Sequence, residues 1–202
     1  MVEKAGKCAV FWDNSNIYIP AQEVAAEKEG PAFSHDLRIH FENLLQLARC
    51  GREVIAGVCV GSQPPELQDV WDKLKATGVD LELYERGRDS GKEQAVDQAL
   101  QVHMLRALTD YEPGVAVLLT GDGAGFHKGK GFHADLMRMH NRGWGIEVMS
   151  WDRACHRELK RWAQDVGQFV PLDDHYGSIT YVKGIRPQTK NRRRNLAHAR
   201  LC

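Results

Sequence analysis

The chain has 202 residues, of which 43% are hydrophobic, so it is long and apolar enough for one domain with a full core. Its 27 basic and 27 acidic residues balance, but no acidic residue follows Asp174 while seven basic ones do. We therefore predict a domain over residues 1–174 and a basic tail over residues 175–202. Such a tail suits contact with a polyanion, although a disordered, solubilising terminus has the same composition.

The cysteines and the N-terminus narrow the class of protein further. The five cysteines are scattered and include no CxxC pair, so the sequence predicts neither a disulfide framework nor a zinc knuckle. The apolar run after Lys7 is shorter than the core of a signal peptide or a membrane span. These features predict a cytoplasmic protein without a membrane partner. They leave open whether it is a monomer or a homodimer.

Short apolar runs alternate with longer segments of helical period, which is typical of a parallel sheet covered by helices on both faces. Five runs are predicted as strands, at residues 8–12, 54–60, 79–84, 115–120 and 146–150. The predicted fold class is therefore α/β, a three-layer α/β/α sandwich with a mainly parallel sheet of about five strands.

Helices are predicted between and after these strands. The first starts at a cap on Ser34 or Asp36 and ends near Gly51, and others cover about residues 64–78, 93–108, 132–142 and 153–165. Residues 16–31 and the glycine-rich residues 121–131 are predicted to be irregular. Both segments follow a strand, which is where an open α/β sheet keeps its ligands.

Three carboxylates stand near the predicted strand ends. Asp13 ends the first strand, Asp122 follows the fourth, and Asp97 lies near the start of the helix that leads into the fourth strand. If the first and fourth strands are neighbours, the three converge on one rim, where they would hold Mg²⁺ or Mn²⁺. Such a site activates water for phosphodiester hydrolysis. Any one of these aspartates alone is more often a turn former or a helix-start charge.

Other residues near the same rim are weaker candidates. Asn16 could orient a metal-bound water or a phosphate oxygen, while Asn14 and Asn16 could equally shape the turn. Asp135 and Asp152 could add a carboxylate, although each is more often an ordinary helix-start charge.

The glycine-rich segment fits no nucleotide-binding motif. It lacks the Ser or Thr of a P-loop and the third glycine of a dinucleotide fingerprint, which removes ATPase and dehydrogenase hypotheses. Lys128 and Lys130 could contact a nucleic-acid backbone, and Phe126 or Phe132 could stack on a base. The alternative is an exposed lid with buried phenylalanines. His133 and His140 lack the spacing of a zinc pair.

Three motifs resemble those of NYN domains, a branch of the PIN-like nucleases. Residues 11–16, FWDNSN, are similar to the family's opening strand, in which an aspartate is followed three positions on by asparagine. Residues 92–97, KEQAVD, resemble its lysine-led helix start with a carboxylate, and residues 118–123, LLTGDG, resemble its third motif. The resemblance covers about residues 7–172. It implies a PIN-like fold, an RNA substrate, Asp13, Asp97 and Asp122 as metal-binding residues, and supporting roles for Asn16 and Thr120.

The sequence departs from the family pattern at two places. Many members carry an aspartate directly before a phenylalanine after the third motif, where this chain has Gly125 and Gly131. The second helix often has another acidic residue where this chain has His103. These differences leave open one metal, slow turnover or no turnover.

We therefore predict a metal-dependent ribonuclease, with Asp152 as a further candidate metal ligand. The residues expected to contact the RNA backbone are Lys92, Lys128, Lys130, Lys190, Arg192, Arg193 and Arg194. One alternative is an RNA-binding module of the same fold without turnover. A second is a phosphatase with Asp13 as nucleophile, which is disfavoured because position 15 is Ser rather than a second aspartate.

Overall fold

A six-stranded parallel sheet forms the centre of the part of the chain that the structure describes. The structure is a computed structural model that describes residues 6–63, 79–85 and 92–182, together with Asp72 and Ala76. The strands are β1 Lys7–Asp13, β3 Glu53–Gln63, β4 Asp80–Glu85, β5 Val115–Leu119, β6 Gly145–Ser150 and β7 Gln168–Pro171. Their order is β4-β3-β1-β5-β6-β7, and every neighbouring pair is parallel.

Helices cover both faces of this sheet. Within the described residues they are α1 Asn14–Lys28, α2 Phe41–Arg49, α3 Lys92–Asp110, α4 Gly131–His140, α5 Arg157–Val166 and α6 Tyr176–Ile179. Side chains of β1 alternate between two cores, because Trp12 packs with α1 and α2 whereas Phe11 packs with α3, α4 and α5. The predicted three-layer sandwich is confirmed.

The five predicted strands are confirmed, and β7 adds a sixth at the edge of the sheet. This strand has four residues, of which only Val170 is fully buried, and it ends at Pro171. A run so short, with proline at its end, gives little strand signal in the sequence.

The prediction of an irregular segment over residues 16–31 is wrong, because α1 occupies most of it. Pro20 lies inside this helix and donates no backbone hydrogen bond, which weakened the helical signal. Ile17, Ala21 and Val24 are nevertheless buried at helical spacing in the core under β1. Tertiary packing of this face thus outweighs the cost of the proline.

Two other predicted helices begin at the wrong residue. Residues 34–36 belong to a 3-10 turn, Leu37–Ile39 forms the short strand β2, and α2 starts only after His40, whose Nδ1 accepts a hydrogen bond from the backbone of Asn43 at 3.3 Å. α5 starts at Arg157 instead of near 153. The predicted helix at 64–78 lies outside the described residues, apart from a 3.0 Å helical hydrogen bond from Ala76 N to Asp72 O.

Residues 176–182, which the sequence assigned to the tail, pack on the domain. After α6 they form β8, Thr180–Val182, which pairs antiparallel with β2 from Leu37 to Ile39. The folded part of the chain thus extends at least to Val182. No helix among the described residues combines the length and the apolar composition needed to cross a membrane. Among the described residues, Cys8, Cys59 and Cys155 are free thiols.

Candidate acidic site at the sheet rim

The candidate site lies where β1 and β5 end side by side. Trp12 of β1 is in register with Leu119 of β5, so the next residues, Asp13 and Thr120, stand beside each other at the carboxyl ends of two parallel strands. The neighbouring placement of these strands, on which the predicted site depended, is therefore confirmed. Asp122 follows two residues after Thr120 in the glycine-rich loop.

Asp13 is a buried carboxylate fixed by Asn16. Only 1% of Asp13 is exposed, and it caps the N-terminus of α1. Its Oδ1 accepts a hydrogen bond from the Asn16 backbone at 3.1 Å, and its Oδ2 accepts one from Asn16 Nδ2 at 2.5 Å. Burial raises the pKa of Asp13, the hydrogen bonds from Asn16 oppose that rise, and the charge of Asp122 adds to it. Asp13 and Asp122 are therefore close enough to repel each other.

The loop after β5 holds Asp122 in a defined orientation. The backbone N–H of Asp122 donates to the buried Thr120 hydroxyl at 3.2 Å, and Asp122 Oδ1 accepts from Ala124 N at 2.8 Å. His156 closes over this turn, since its backbone N–H donates to Gly121 O at 2.8 Å. A Cβ on Gly123 would lie 2.7 Å from the Cβ of His156, so only glycine leaves room for this contact.

Asp97 belongs to a helix that covers β1 and its other neighbour, β3. It is half-buried in the second turn of α3, which packs against β1 and β3. Across the described ranges, no group of three or more His, Cys, Asp or Glu side chains is arranged to hold a metal ion. Asp13 and Asp122 are thus the pair that the fold brings together, and the three-aspartate site stays a prediction.

Asp152 and Asp135 both make ion pairs. Asp152 is exposed after β6, two strands away from β1, and its carboxylate pairs with Lys160. Asp135 lies in α4 with 4% of its side chain exposed, bound by Arg138 and by Gln101. Asp135 is therefore engaged in packing between helices, and a metal role for Asp152 would require its pair with Lys160 to open.

Asn14 is a further polar residue at this rim, where the sequence favoured Asn16. It is 9% exposed, and its Oδ1 is buried without a hydrogen-bond partner in the described structure. Its Cβ lies so near β3 that a Cβ on Gly61 would be 3.0 Å away. Its place directly after Asp13 was the available signal. Two carboxylates with neighbouring hydroxyl and amide oxygens form an all-oxygen donor set, which fits a hard cation that also keeps waters and binds substrate phosphate.

The residues predicted to contact RNA are only partly described. Lys128 and Lys130 are exposed in the glycine-rich loop. Lys92 begins α3, and its side chain lies outside the description, as do Lys190, Arg192, Arg193 and Arg194. Phe132 is 2% exposed within the core, so it does not present a face to a base, whereas Phe126 is half-buried and stacks on His133. His103 contacts Glu82 at 2.6 Å.

Comparison with known proteins gives a family and a similar fold. The sequence model described as the NYN domain matches residues 7–170. A search of curated protein sequences found no significant match. Among solved structures, the chain is similar to a protein of unknown function from Vibrio parahaemolyticus RIMD 2210633, with a TM-score of 0.60 and 16% identity, over 86% of this chain and 97% of that one. This likeness concerns the fold alone.

Proposed function

Because the chain belongs to the NYN domain family, a family of PIN-like nucleases, we propose that it is a metal-dependent ribonuclease acting at the rim that carries Asp13, Asp97 and Asp122. The observation that supports this most is the buried carboxylate of Asp13 at the end of β1, beside the end of β5 and the loop that carries Asp122. A buried carboxylate with a raised pKa beside a second one is costly to the apo protein. Such pairs are typical of sites that bind a cation.

Asp13, Asp97 and Asp122 would hold the Mg²⁺ or Mn²⁺. When bound there, the cation supplies an acidic water and positive charge beside the scissile phosphate. The protein's own part is to fix the carboxylates. Asn16 holds both oxygens of Asp13, while Thr120 and the turn at Ala124 set the orientation of Asp122. Fixed ligands reduce the reorganisation needed during reaction.

RNA would be bound chiefly through its phosphates. Lys128 and Lys130 lie in the same glycine-rich loop as Asp122, six and eight residues further along the chain. We propose further backbone contacts at the start of α3 and in the tail, by Lys92, Lys190, Arg192, Arg193 and Arg194. Contacts of this kind give affinity that depends on salt and little sequence preference.

A second candidate function is RNA binding without turnover. His103 pairs with Glu82 at the helix position where the family often has an acidic residue, and the described residues contain no three-ligand metal group. A site with fewer carboxylates binds a second cation less well. An RNA-binding module of the same fold would then keep its basic surface and lose cleavage.

Incubation of wild-type protein with labelled single-stranded and structured RNAs separates the two functions. The ribonuclease hypothesis predicts products in Mn²⁺ or Mg²⁺ and none in EDTA. Binding should be measured in parallel over a range of salt concentrations. Salt-sensitive binding without products in any of these ions would reject the ribonuclease and establish the binding module.

A further inference from the structure

Arg138 connects the basic loop to the rest of the domain. Its Nη2 donates to the carbonyl of Gly129 in that loop at 2.6 Å, and its Nη1 donates to Asp135 Oδ1 at 2.6 Å. The other oxygen of Asp135 accepts from Gln101 Nε2 of α3 at 2.8 Å. A continuous row of hydrogen bonds thus runs from α3, one turn beyond Asp97, to the loop that carries Lys128 and Lys130.

The loop itself has a conformation that depends on glycine. Gly125, Gly129 and Gly131 have φ values of 79°, 67° and 80°, in the region that L side chains avoid. Its turn is closed by the hydrogen bond from Gly129 N to Phe126 O at 2.8 Å, and Phe126 stacks on the buried His133 with ring centroids 3.8 Å apart. A glycine-rich segment loses much conformational entropy when it is ordered, so its order needs such anchors.

The ion pair of Arg138 with Asp135 is better explained by the orientation that it gives Arg138 than by a gain in stability. Asp135 is almost fully buried on its side chain, and burial raises its pKa while Arg138 and Gln101 lower it. Burying a carboxylate costs desolvation energy, so well-packed apolar residues in place of a buried ion pair often leave the stability of a protein unchanged or raise it. What the pair adds is a guanidinium held in one orientation, with one nitrogen directed at the loop carbonyl.

We infer that Arg138, oriented by Asp135, is a positioning residue for RNA binding that holds the basic loop so that Lys128 and Lys130 contact the RNA backbone. This inference rests on the proposed function insofar as RNA is the ligand. It does not require cleavage. Arg138 acts through the loop and does not itself contact the reacting atoms.

The first test compares Arg138→Gln with Arg142→Gln, which removes the same charge from an exposed residue just beyond α4. The affinity for a labelled single-stranded RNA should be measured in EDTA, so that no cleavage interferes. Arg138→Gln should weaken binding by about fivefold, whereas Arg142→Gln should change it by less than about twofold. Arg138→Lys should resemble Arg138→Gln, because one ammonium cannot bridge both acceptors in the same planar geometry.

A double-mutant cycle then tests whether Arg138 acts through the lysines. In a Lys128→Gln, Lys130→Gln background the Arg138→Gln effect should fall to less than about twofold, since the contacts it positions are gone. Hydrogen exchange of the amides at residues 125–130 should also be faster in Arg138→Gln than in Arg142→Gln. With an active enzyme, KM for RNA should rise while kcat stays within about twofold.

Three results would overturn the inference: equal RNA affinity of Arg138→Gln and Arg142→Gln, an undiminished Arg138→Gln effect without the lysines, or no RNA affinity in the wild type. The first two are distinct from failure of the ribonuclease proposal, whereas a wild type without RNA affinity would reject both proposals. A wild type that binds RNA but never cleaves it rejects the ribonuclease and leaves the role of Arg138 intact.

Discussion

Asp13 combines a structural and a chemical role in one side chain. It ends β1, caps α1 through Asn16, and lies within repulsive range of Asp122. Asparagine is about as good as aspartate at a helix N-cap, so the cap needs no charge there. The charge is the part of Asp13 that the fold does not require. Its presence at a buried position is therefore better explained by function than by stability.

His133 is the second residue whose burial has a measurable consequence. It is 2% exposed, its two ring nitrogens have no hydrogen-bond partner in the described structure, and it lies between Phe126 and Trp162. Burial lowers its pKa. Glu158 opposes this effect, while His156 and His127 add to it. The imidazole is therefore neutral in the folded protein under conditions in which an exposed histidine would begin to take up a proton.

The free energy of unfolding should consequently depend on pH through His133. Above the ordinary histidine pKa of 6.5 the ring is neutral in both the folded and the unfolded protein, so it adds no pH dependence. As the pH falls below that value towards the lowered folded pKa, the unfolded chain binds more protons, so stability should decrease. His133→Phe keeps an aromatic ring in the stack and should lack this component. Urea unfolding at several pH values checks it, and identical pH profiles for the two proteins would contradict it.

At the scale of elements, apolar runs in the sequence predicted most of the strands. The elements that depend on tertiary packing were missed. The buried runs of β1, β3, β5 and β6 are mainly apolar, so their strands could be located. α1 was missed because Pro20 weakens the helical pattern of the sequence, although the buried face of this helix packs in the core beside β1. β2 and α2 were merged because Leu37 and Phe41 are spaced as in a helix, although Leu37 pairs with Val182 far along the chain.

The glycine-rich loop offers a test of backbone geometry at this scale. Gly131 has a φ of 80°, and a Cβ there would lie 2.1 Å from Ala124 O, so Gly131→Ala should cost about 2 kcal/mol of stability. Gly177→Ala is the matched control. Nothing lies within 4 Å of its added Cβ, and it is in the short helix α6, so the change should be neutral or stabilise by about 0.5 kcal/mol. Chemical denaturation measures both, and equal costs would contradict the loop geometry.

At the scale of the molecule, strand order explains why part of the site could be predicted. β1 and β5 are neighbours in the sheet, so residues at their carboxyl ends meet whatever their distance in sequence. That rule located Asp13 and Asp122, whereas Thr120 was predicted from the resemblance to NYN domains. It could not locate Arg138, because its contacts with Gly129 and Asp135 depend on how α4 packs beside the loop. The pairing of β8 with β2 likewise joins segments that no local pattern connects.

The most direct test of the acidic site is RNA cleavage in Mn²⁺ by Asp13→Asn and Asp122→Asn, each compared with Asp165→Asn. Asp165 is an exposed residue of α5, so its variant carries the same chemical change away from the rim. Asn can still cap α1, and circular dichroism should verify that all three variants are folded. We expect both rim variants to lose at least about 100-fold in rate while Asp165→Asn cleaves like the wild type. Cleavage by either rim variant at the rate of Asp165→Asn would contradict a catalytic role for the Asp13–Asp122 pair.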